Sequence, residues 1–201
     1  MRKFVWMLLF PALAWAGAEI GKPAPEFSLA GVDGKTHSLK DYRGSLVVLE
    51  WINYDCPFVK KHYGAKNMQS LQEKYASGKI KRDPKIAWLS INSSAPKKQG
   101  HYQAEEWKKL NEKNGSSATA TLLDPDGKVG KAYGAATTPH MFIIDAKGNL
   151  VYAGAIDDRP TPDPRDILKA KNYVAAALDE MLAGKPVSTP VTTAYGCSVK
   201  Y

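Results

Sequence analysis

Apolar and polar positions along this chain alternate between strand-like and helix-like spacing. Leu46-Val47-Val48-Leu49 is a continuous apolar run, the pattern of a strand buried on both faces. Lys85 to Ile91 (KIAWLSI) is a second such run, and Thr119 to Leu123 a third strand, closed by Asp124-Pro125-Asp126-Gly127. Between the first two the period lengthens. Phe58, Ala65, Met68, Leu71 and Tyr75 recur at helical spacing and predict a helix from Pro57 to about Ala76, with Gly78 as its stop. Trp107 and Leu110 give an inner face to a second helix, from Pro96 to about Asn114, stopped by Gly115. Lys128 to Tyr133 predicts a short helix, and Ile167 to Ala183 the last one. His140 to Asp145 and Leu150 to Ile156 read as an antiparallel pair around the turn Ala146-Lys147-Gly148-Asn149. At the front, Phe27 to Ala30 and Thr36 to Leu39 flank an Asp33-Gly34 turn and predict a hairpin, followed by a turn or short helix over Lys40 to Gly44. Parallel strands joined by helices, with an antiparallel pair at the end, predict an α/β protein: a central mixed sheet flanked by helices, with an N-terminal β-hairpin extension.

The ends of the chain have a different character. Residues 1–18 read as a signal peptide: Arg2 and Lys3 are basic, Phe4 to Leu13 is largely apolar, and Ala14-Trp15-Ala16 is a small-x-small cleavage signal, with Ala16-Gly17-Ala18 as an alternative. The expected protein is therefore exported, periplasmic or secreted, with no stable membrane span after cleavage. Residues 19–186 form the expected domain, and 187–201 a C-terminal tail that carries Cys197. Asp157 to Asp166 (DDRPTPDPRD) holds three prolines and no core former, so it is expected to be a surface loop.

The formal net charge of +8 falls to +6 without Arg2 and Lys3, and the lysines are spread from Lys22 to Lys200. No dense basic block with interleaved aromatics occurs, which argues against nucleic acid as a partner. The two cysteines, Cys56 and Cys197, are too few for a disulfide-dense scaffold; they suggest one disulfide or one redox pair.

Cys56 stands where the first buried strand passes into a helix. Pro57 follows it, and proline suits the first helical position because its missing N–H would be unpaired there. The free N–H groups and the positive end of the helix dipole favour a thiolate at Cys56, and the thiolate is the nucleophile. Lys60 and Lys61, one turn on, are expected to add positive charge; His62 lies beyond the first turn. Trp51, Tyr54 and Phe58 flank the cysteine, as an apolar rim or simply as core.

With these elements placed, the chain resembles the thioredoxin-like superfamily, and within it the redoxin or AhpC/TSA (peroxiredoxin-like) branch. The resemblance spans about Ile20 to Ala183. It rests on Pro25-Glu26-Phe27-Ser28-Leu29 with its hairpin and Leu39-Lys40-Asp41-Tyr42-Arg43-Gly44, on the strand ending at Cys56-Pro57, on Thr137-Thr138-Pro139, and on the Asp145-Ala146-Lys147-Gly148 hairpin. The residues depart from two family patterns. Val59 stands where a thioredoxin-type site has its second cysteine. Asn53 and Leu49 stand where a peroxiredoxin has Thr or Ser and Pro.

The resemblance implies a thioredoxin-like fold and a thiol-dependent oxidoreductase with Cys56 as redox-active nucleophile. Cys197 would be a resolving thiol, a structural disulfide partner or a free thiol. Pro139 would be a cis-proline, with Thr138 offering backbone groups to a bound peptide; Pro57 and Asn53 complete the expected substrate-binding set, Asn53 as a donor to a peroxide oxygen. The expected substrate is a disulfide or thiol of a protein partner, or else a small peroxide. A copper site built from Cys56 with one or both of His62 and His140, as in Sco-type relatives, or a client-binding module, is the non-catalytic alternative; the expectation is no metal and no cofactor. Arg159 is a further residue that the proline-rich loop could bring near.

Overall fold

The computed structural model describes residues 17–76 and 84–201. The predicted signal peptide, except for Gly17 and Ala18, and the predicted helix stop at Gly78 lie outside the described residues.

In chain order the elements are β1 (Ser28–Gly31), β2 (Thr36–Ser38), β3 (Leu46–Trp51), α1 (Pro57–Gly64), α2 (Asn67–Ala76), β4 (Ile86–Asn92), α3 (Ala104–Asn114), β5 (Ala120–Leu123), α4 (Lys128–Tyr133), β6 (Thr137–Thr138), β7 (His140–Ile144), β8 (Leu150–Gly154), α5 (Tyr173–Leu182) and β9 (Cys197–Ser198). One seven-stranded sheet has the order β2-β1-β5-β4-β3-β7-β8, and β6 and β9 form a separate two-stranded ribbon. β3, β4 and β5 run parallel, whereas β7 and β8 on one side and β1 and β2 on the other are antiparallel. The sheet is mixed, flanked by helices and preceded by the hairpin: a thioredoxin-like α/β fold.

β3 lies between β4 and β7, so both its edges are paired, and a core layer covers each of its faces, so all six residues are buried. Side chains alternate across it. Val48 and Ile52 pack in the layer filled by Val59 and Tyr63 of α1, Met68 and Leu71 of α2, Trp107 of α3 and Leu178 of α5. Val47, Leu49 and Trp51 face the other layer, with Phe27, Tyr133 of α4 and Phe142. Cys56 lies in the first layer. Trp51 therefore does not rim the cysteine: it is fully buried on the opposite face and donates to Ser93 Oγ at 3.0 Å. Tyr54 is also core, and donates to Asn111 Oδ1 at 3.0 Å.

Glu50 faces the first layer, that of Tyr63 and Trp88. Its carboxylate accepts from Trp88 Nε1 (2.8 Å), Tyr63 Oη (3.1 Å), Ser90 Oγ (3.2 Å) and Gln72 Nε2 (3.4 Å), and the residue has no solvent exposure. Burial outweighs these four donors and raises its carboxyl pKa to about 7.

Three helices differ from the sequence expectation. The one predicted over Pro57 to Ala76 is two: Lys66 adopts φ 61°, and Gln69 Nε2 donates to the Tyr63 carbonyl at 2.9 Å, satisfying an acceptor freed at the end of α1. Ala65, in that break, is exposed. The helix predicted from Pro96 begins at Ala104, because Lys97 (φ 68°) and Gly100 (φ 83°) are left-handed and stop a helix there. Glu106 Oε2 then accepts from Gln103 N and caps the true start. The last helix begins at Tyr173, where Asn172 Oδ1 accepts from Ala175 N, and Pro164–Lys169 is a separate 3-10 turn.

The tail is part of the folded body. Ala153 N donates to Pro190 O, Ala155 N to Thr192 Oγ1, Val199 N to Ala136 O and Ala95 N to Lys200 O; Tyr201 Oη donates to Ala135 O.

Candidate active site

The loop from β3 to α1 is fixed by its own side chains. Asn53 Oδ1 accepts from Asp55 N (2.9 Å), the Asn53 carbonyl accepts from Cys56 N (3.0 Å), and Asp55 Oδ2 accepts from Tyr102 Oη (2.8 Å). Cys56 is the N-cap of α1 and Pro57 its first residue; the Cys56 carbonyl accepts the first helical hydrogen bond, from Lys60 N at 2.9 Å.

Opposite it, the Thr138–Pro139 peptide is cis. Thr138 O lies 3.0 Å from Cys56 Sγ. β6 then pairs antiparallel with β9, Thr138 against Cys197 and Thr137 against Ser198. This ribbon brings Cys197 Sγ to 2.7 Å from Cys56 Sγ, across 141 positions of sequence. Both cysteines are free; Cys56 has no exposed surface and Cys197 is partly exposed.

The two thiols are electrostatically unequal. Burial pushes Cys56 up, but donors outweigh it: the Cys197 thiol, the N–H groups of Val59 and Cys197, and the Thr138 hydroxyl stabilise the thiolate, so its pKa is lowered. Cys197 is raised to about 11, by burial and then by the neighbouring Cys56 sulfur. This asymmetry favours the thiolate on Cys56 and the proton on Cys197. When Cys56 is protonated, its own S–H has Thr138 O as acceptor.

The lysines do not produce this lowering. Lys61 has a fully buried side chain that turns to the loop after β8: Nζ donates to Arg159 O at 2.7 Å and lies 3.8 Å from Asp157 Oδ2. Its charge is balanced there, and hydrogen bonds replace the expected through-space effect. Lys60 is exposed.

Asn53 does not face the thiol. Its Nδ2 donates to Gln99 O at 3.3 Å and its Oδ1 is held by Asp55 N, because the side chain forms the turn that aims Cys56. His62 is completely buried and bonds to Tyr195 and Asn67. His140 Nδ1 accepts from Ala136 N at 3.2 Å and its ring packs on Phe142 at 4.4 Å; burial lowers its pKa to about 4, so it is neutral. Among the described residues, no three His, Cys, Asp or Glu side chains converge as a metal site would require. The Arg159 guanidinium turns to Asp158 (3.5 Å) and Lys169 O (3.5 Å), although its backbone does reach α1. Phe58 is half-buried and packs edge-on against Tyr195 at 5.7 Å.

Two residues behind the site were not singled out from the sequence, Asp157 and Tyr195. A buried aspartate inside a proline-rich stretch leaves no periodicity to read. An aromatic two positions before a tail cysteine was the available signal for Tyr195.

Gly196 makes the ribbon possible. Its φ is 142°, and a Cβ there would sit 2.1 Å from Thr138 O. Gly196→Ala is expected to push β9 off β6 and expose Cys56, raising its alkylation rate in the reduced protein by about tenfold or more, since strained backbone of this kind costs roughly 1–3 kcal/mol before the clash is counted. Peptide mapping after iodoacetamide reads it; an unchanged Cys56 rate would show that the ribbon does not shield the thiol.

The comparisons agree with this architecture. Residues 20–153 match the AhpC/TSA family. A thiol-disulfide oxidoreductase ResA from Geobacillus thermodenitrificans (strain NG80-2) is 26% identical over 160 residues, which is 75% of this chain and 83% of that protein. The crystal structure of an uncharacterized conserved protein from Geobacillus kaustophilus is similar with a TM-score of 0.75 at 31% identity, over 91% of this chain and 92% of that one. A hypothetical protein from Sinorhizobium meliloti 1021 gives a TM-score of 0.73 at 26% identity, over 92% and 96% of the two chains.

Proposed function

This chain belongs to the AhpC/TSA family and is a thiol-dependent oxidoreductase; from that premise we propose that it exchanges thiols and disulfides with protein partners, Cys56 attacking and Cys197 resolving. The observation that carries the reading is the 2.7 Å approach of two free sulfurs whose pKa values are driven apart.

The chemistry follows from that asymmetry. The Cys56 thiolate attacks one sulfur of a partner disulfide; the Cys56–partner bond forms, the partner's own S–S bond breaks, and one partner thiolate leaves. Cys197 then loses its proton to solvent and attacks Cys56 Sγ. The Cys56–Cys197 disulfide forms, and the second partner thiolate leaves and is protonated. A dithiol partner returns the pair to its reduced form. In this reading the tail supplies the second sulfur, in place of the local cysteine that a thioredoxin-type site has at the position of Val59. Cys56 itself suits both directions, because a low-pKa thiol is also the better leaving group.

The ResA relative's name supports disulfides over peroxides, and so does the engagement of the Asn53 amide by Gln99 O, which removes the donor a peroxide reductase would have used there. Export is part of this proposal and rests on the leader-like residues 1–18. Among the described residues no helix is long and apolar enough to cross a membrane.

The test is trapping. Reduced Cys197→Ser is exposed to glutathione disulfide or to hydrogen peroxide, and intact mass is followed. A stable glutathione adduct on Cys56, with little reaction toward peroxide, is expected. Rapid sulfenic acid on Cys56 with no glutathione adduct would replace exchange by peroxide reduction.

A further inference from the structure

A buried polar chain joins the helix that starts at Cys56 to the tail that carries Cys197. Asn67 Nδ2 has only hydrogens to offer, so at 2.9 Å it donates to His62 Nδ1. The His62 proton is thereby left on Nε2, which donates to Tyr195 Oη at 3.2 Å. The Tyr195 hydroxyl in turn donates to Asp157 Oδ1, which also accepts from Arg159 N at 2.9 Å. Asp157 Oδ2 has no hydrogen-bond donor, and lies 3.8 Å from Lys61 Nζ. Lys61 Nζ also stands 5.5 Å from the centre of the Tyr195 ring, whose edge meets Phe58. The side chains of Lys61 and His62 have no exposed surface, and Asp157 has 1%.

Such a cluster is a poor source of stability. A buried ion pair rarely outperforms apolar residues of the same volume, and its best attested use is to specify one arrangement. Here the arrangement it specifies is local. Thr192 and Val191 are tied to the end of β8, and Val199 to Tyr201 are tied to Ala95, Ala135 and Ala136. Between those anchors, Tyr195 holds the tail to α1, two residues before Cys197.

We infer that Tyr195, held by His62 and Asp157, is a positioning residue that latches the tail to α1 and so sets how strongly Cys197 is presented to Cys56. The inference rests on the resolving role of Cys197 proposed above. With the latch closed, Cys197 meets Cys56 at a high effective concentration and its donors keep Cys56 ionised. With it open, the mixed disulfide between Cys56 and a partner waits longer before Cys197 forms the Cys56–Cys197 bond and expels the partner thiolate.

Tyr195→Phe keeps the ring against Phe58 and removes only the hydroxyl; His62→Leu removes the donor on its other side and serves where the first variant fails to fold. Three quantities are read on the full mature chain: the equilibrium of the Cys56–Cys197 disulfide against glutathione, the Cys56 pKa from thiolate absorbance, and the lifetime of the glutathione adduct on Cys56. Each variant is expected to lower the effective concentration of Cys197 about tenfold or more, raise the Cys56 pKa and lengthen the adduct lifetime by a similar factor. If a folded variant leaves all three within twofold of wild type, whatever its melting temperature, the latch is overturned while the functional reading stands. If the wild type forms no Cys56–Cys197 disulfide at all, the resolving role fails and the latch fails with it.

Discussion

Cys56→Ser is expected to reduce disulfide exchange to the uncatalysed level, a loss on the order of 1,000-fold or more, as removal of a catalytic nucleophile does. Serine fits the N-cap position of α1, so the variant should fold. It lacks the group that the surrounding donors stabilise as an anion. Reduction of a disulfide-bonded protein by a dithiol reductant, followed with and without enzyme, measures the loss. The wild-type rate of the first attack should rise with pH and level off below the range of an ordinary thiol, because Val59 N–H, Cys197 N–H and the Cys197 thiol lower the Cys56 pKa. Cys197→Ser should differ in kind: it performs the first attack and stalls as a mixed disulfide. Turnover that survives in Cys56→Ser but vanishes in Cys197→Ser would reverse the two roles.

The largest effect on stability belongs to Glu50. Its carboxyl keeps its proton up to about pH 7 in the fold, against a reference value of 4.5. Between those values the folded state binds more protons than the unfolded state, so the contribution of this group falls as pH rises. At about 1.4 kcal/mol per pH unit, the cost reaches roughly 3 kcal/mol above pH 7. The overall pH curve hides this, because two histidines slope the other way. Burial lowers His62 to about 3 and His140 to about 4, so each withdraws stability as pH falls below 6.5. Glu50→Gln isolates the carboxylate, since the histidines are common to both proteins. The stability of Glu50→Gln relative to wild type should improve by about 3 kcal/mol from pH 4.5 to pH 8 in chemical denaturation. Parallel curves would mean that the four donors from Trp88, Tyr63, Ser90 and Gln72 compensate the buried charge fully.

The β6–β9 ribbon ties these experiments together. Cys56 is covered in the reduced protein by the same tail that supplies Cys197. On the proposed reading, a partner displaces β9 from Thr137–Thr138 to reach the thiolate. Gly196 and Tyr195 act on that displacement from the two sides of the constraint, one by permitting the ribbon and the other by holding the tail behind it.

The sequence by itself determined the sheet, most of the strands and the place of the thiol. Leu46 to Leu49 and Ile86 to Ile91 are apolar runs because their strands are covered on both faces, and such burial is written directly into residue type. The handover at Cys56-Pro57 was legible because a strand end, a proline and a helix period meet there. Helix boundaries were less legible: Lys66 and Lys97 take left-handed backbone that nothing in their residue type requires. Glu50 was not singled out from the sequence, and its four donors come from three other elements.

Only the tertiary structure decided what surrounds the thiol. Contact between Cys56 and Cys197 depends on a two-residue ribbon formed across 141 positions, and short ribbons carry too little pattern to be read. Lys61, which sequence proximity placed beside the thiolate, turns elsewhere, because Asp157 offers it a buried counter-charge, and Lys60 is exposed. The Asn53 amide turns to the loop at Gln99, because an asparagine there satisfies the backbone of its own turn first. Local periodicity records which face of an element is buried; it does not record which distant groups share that burial, and the chemistry of Cys56 is set by those.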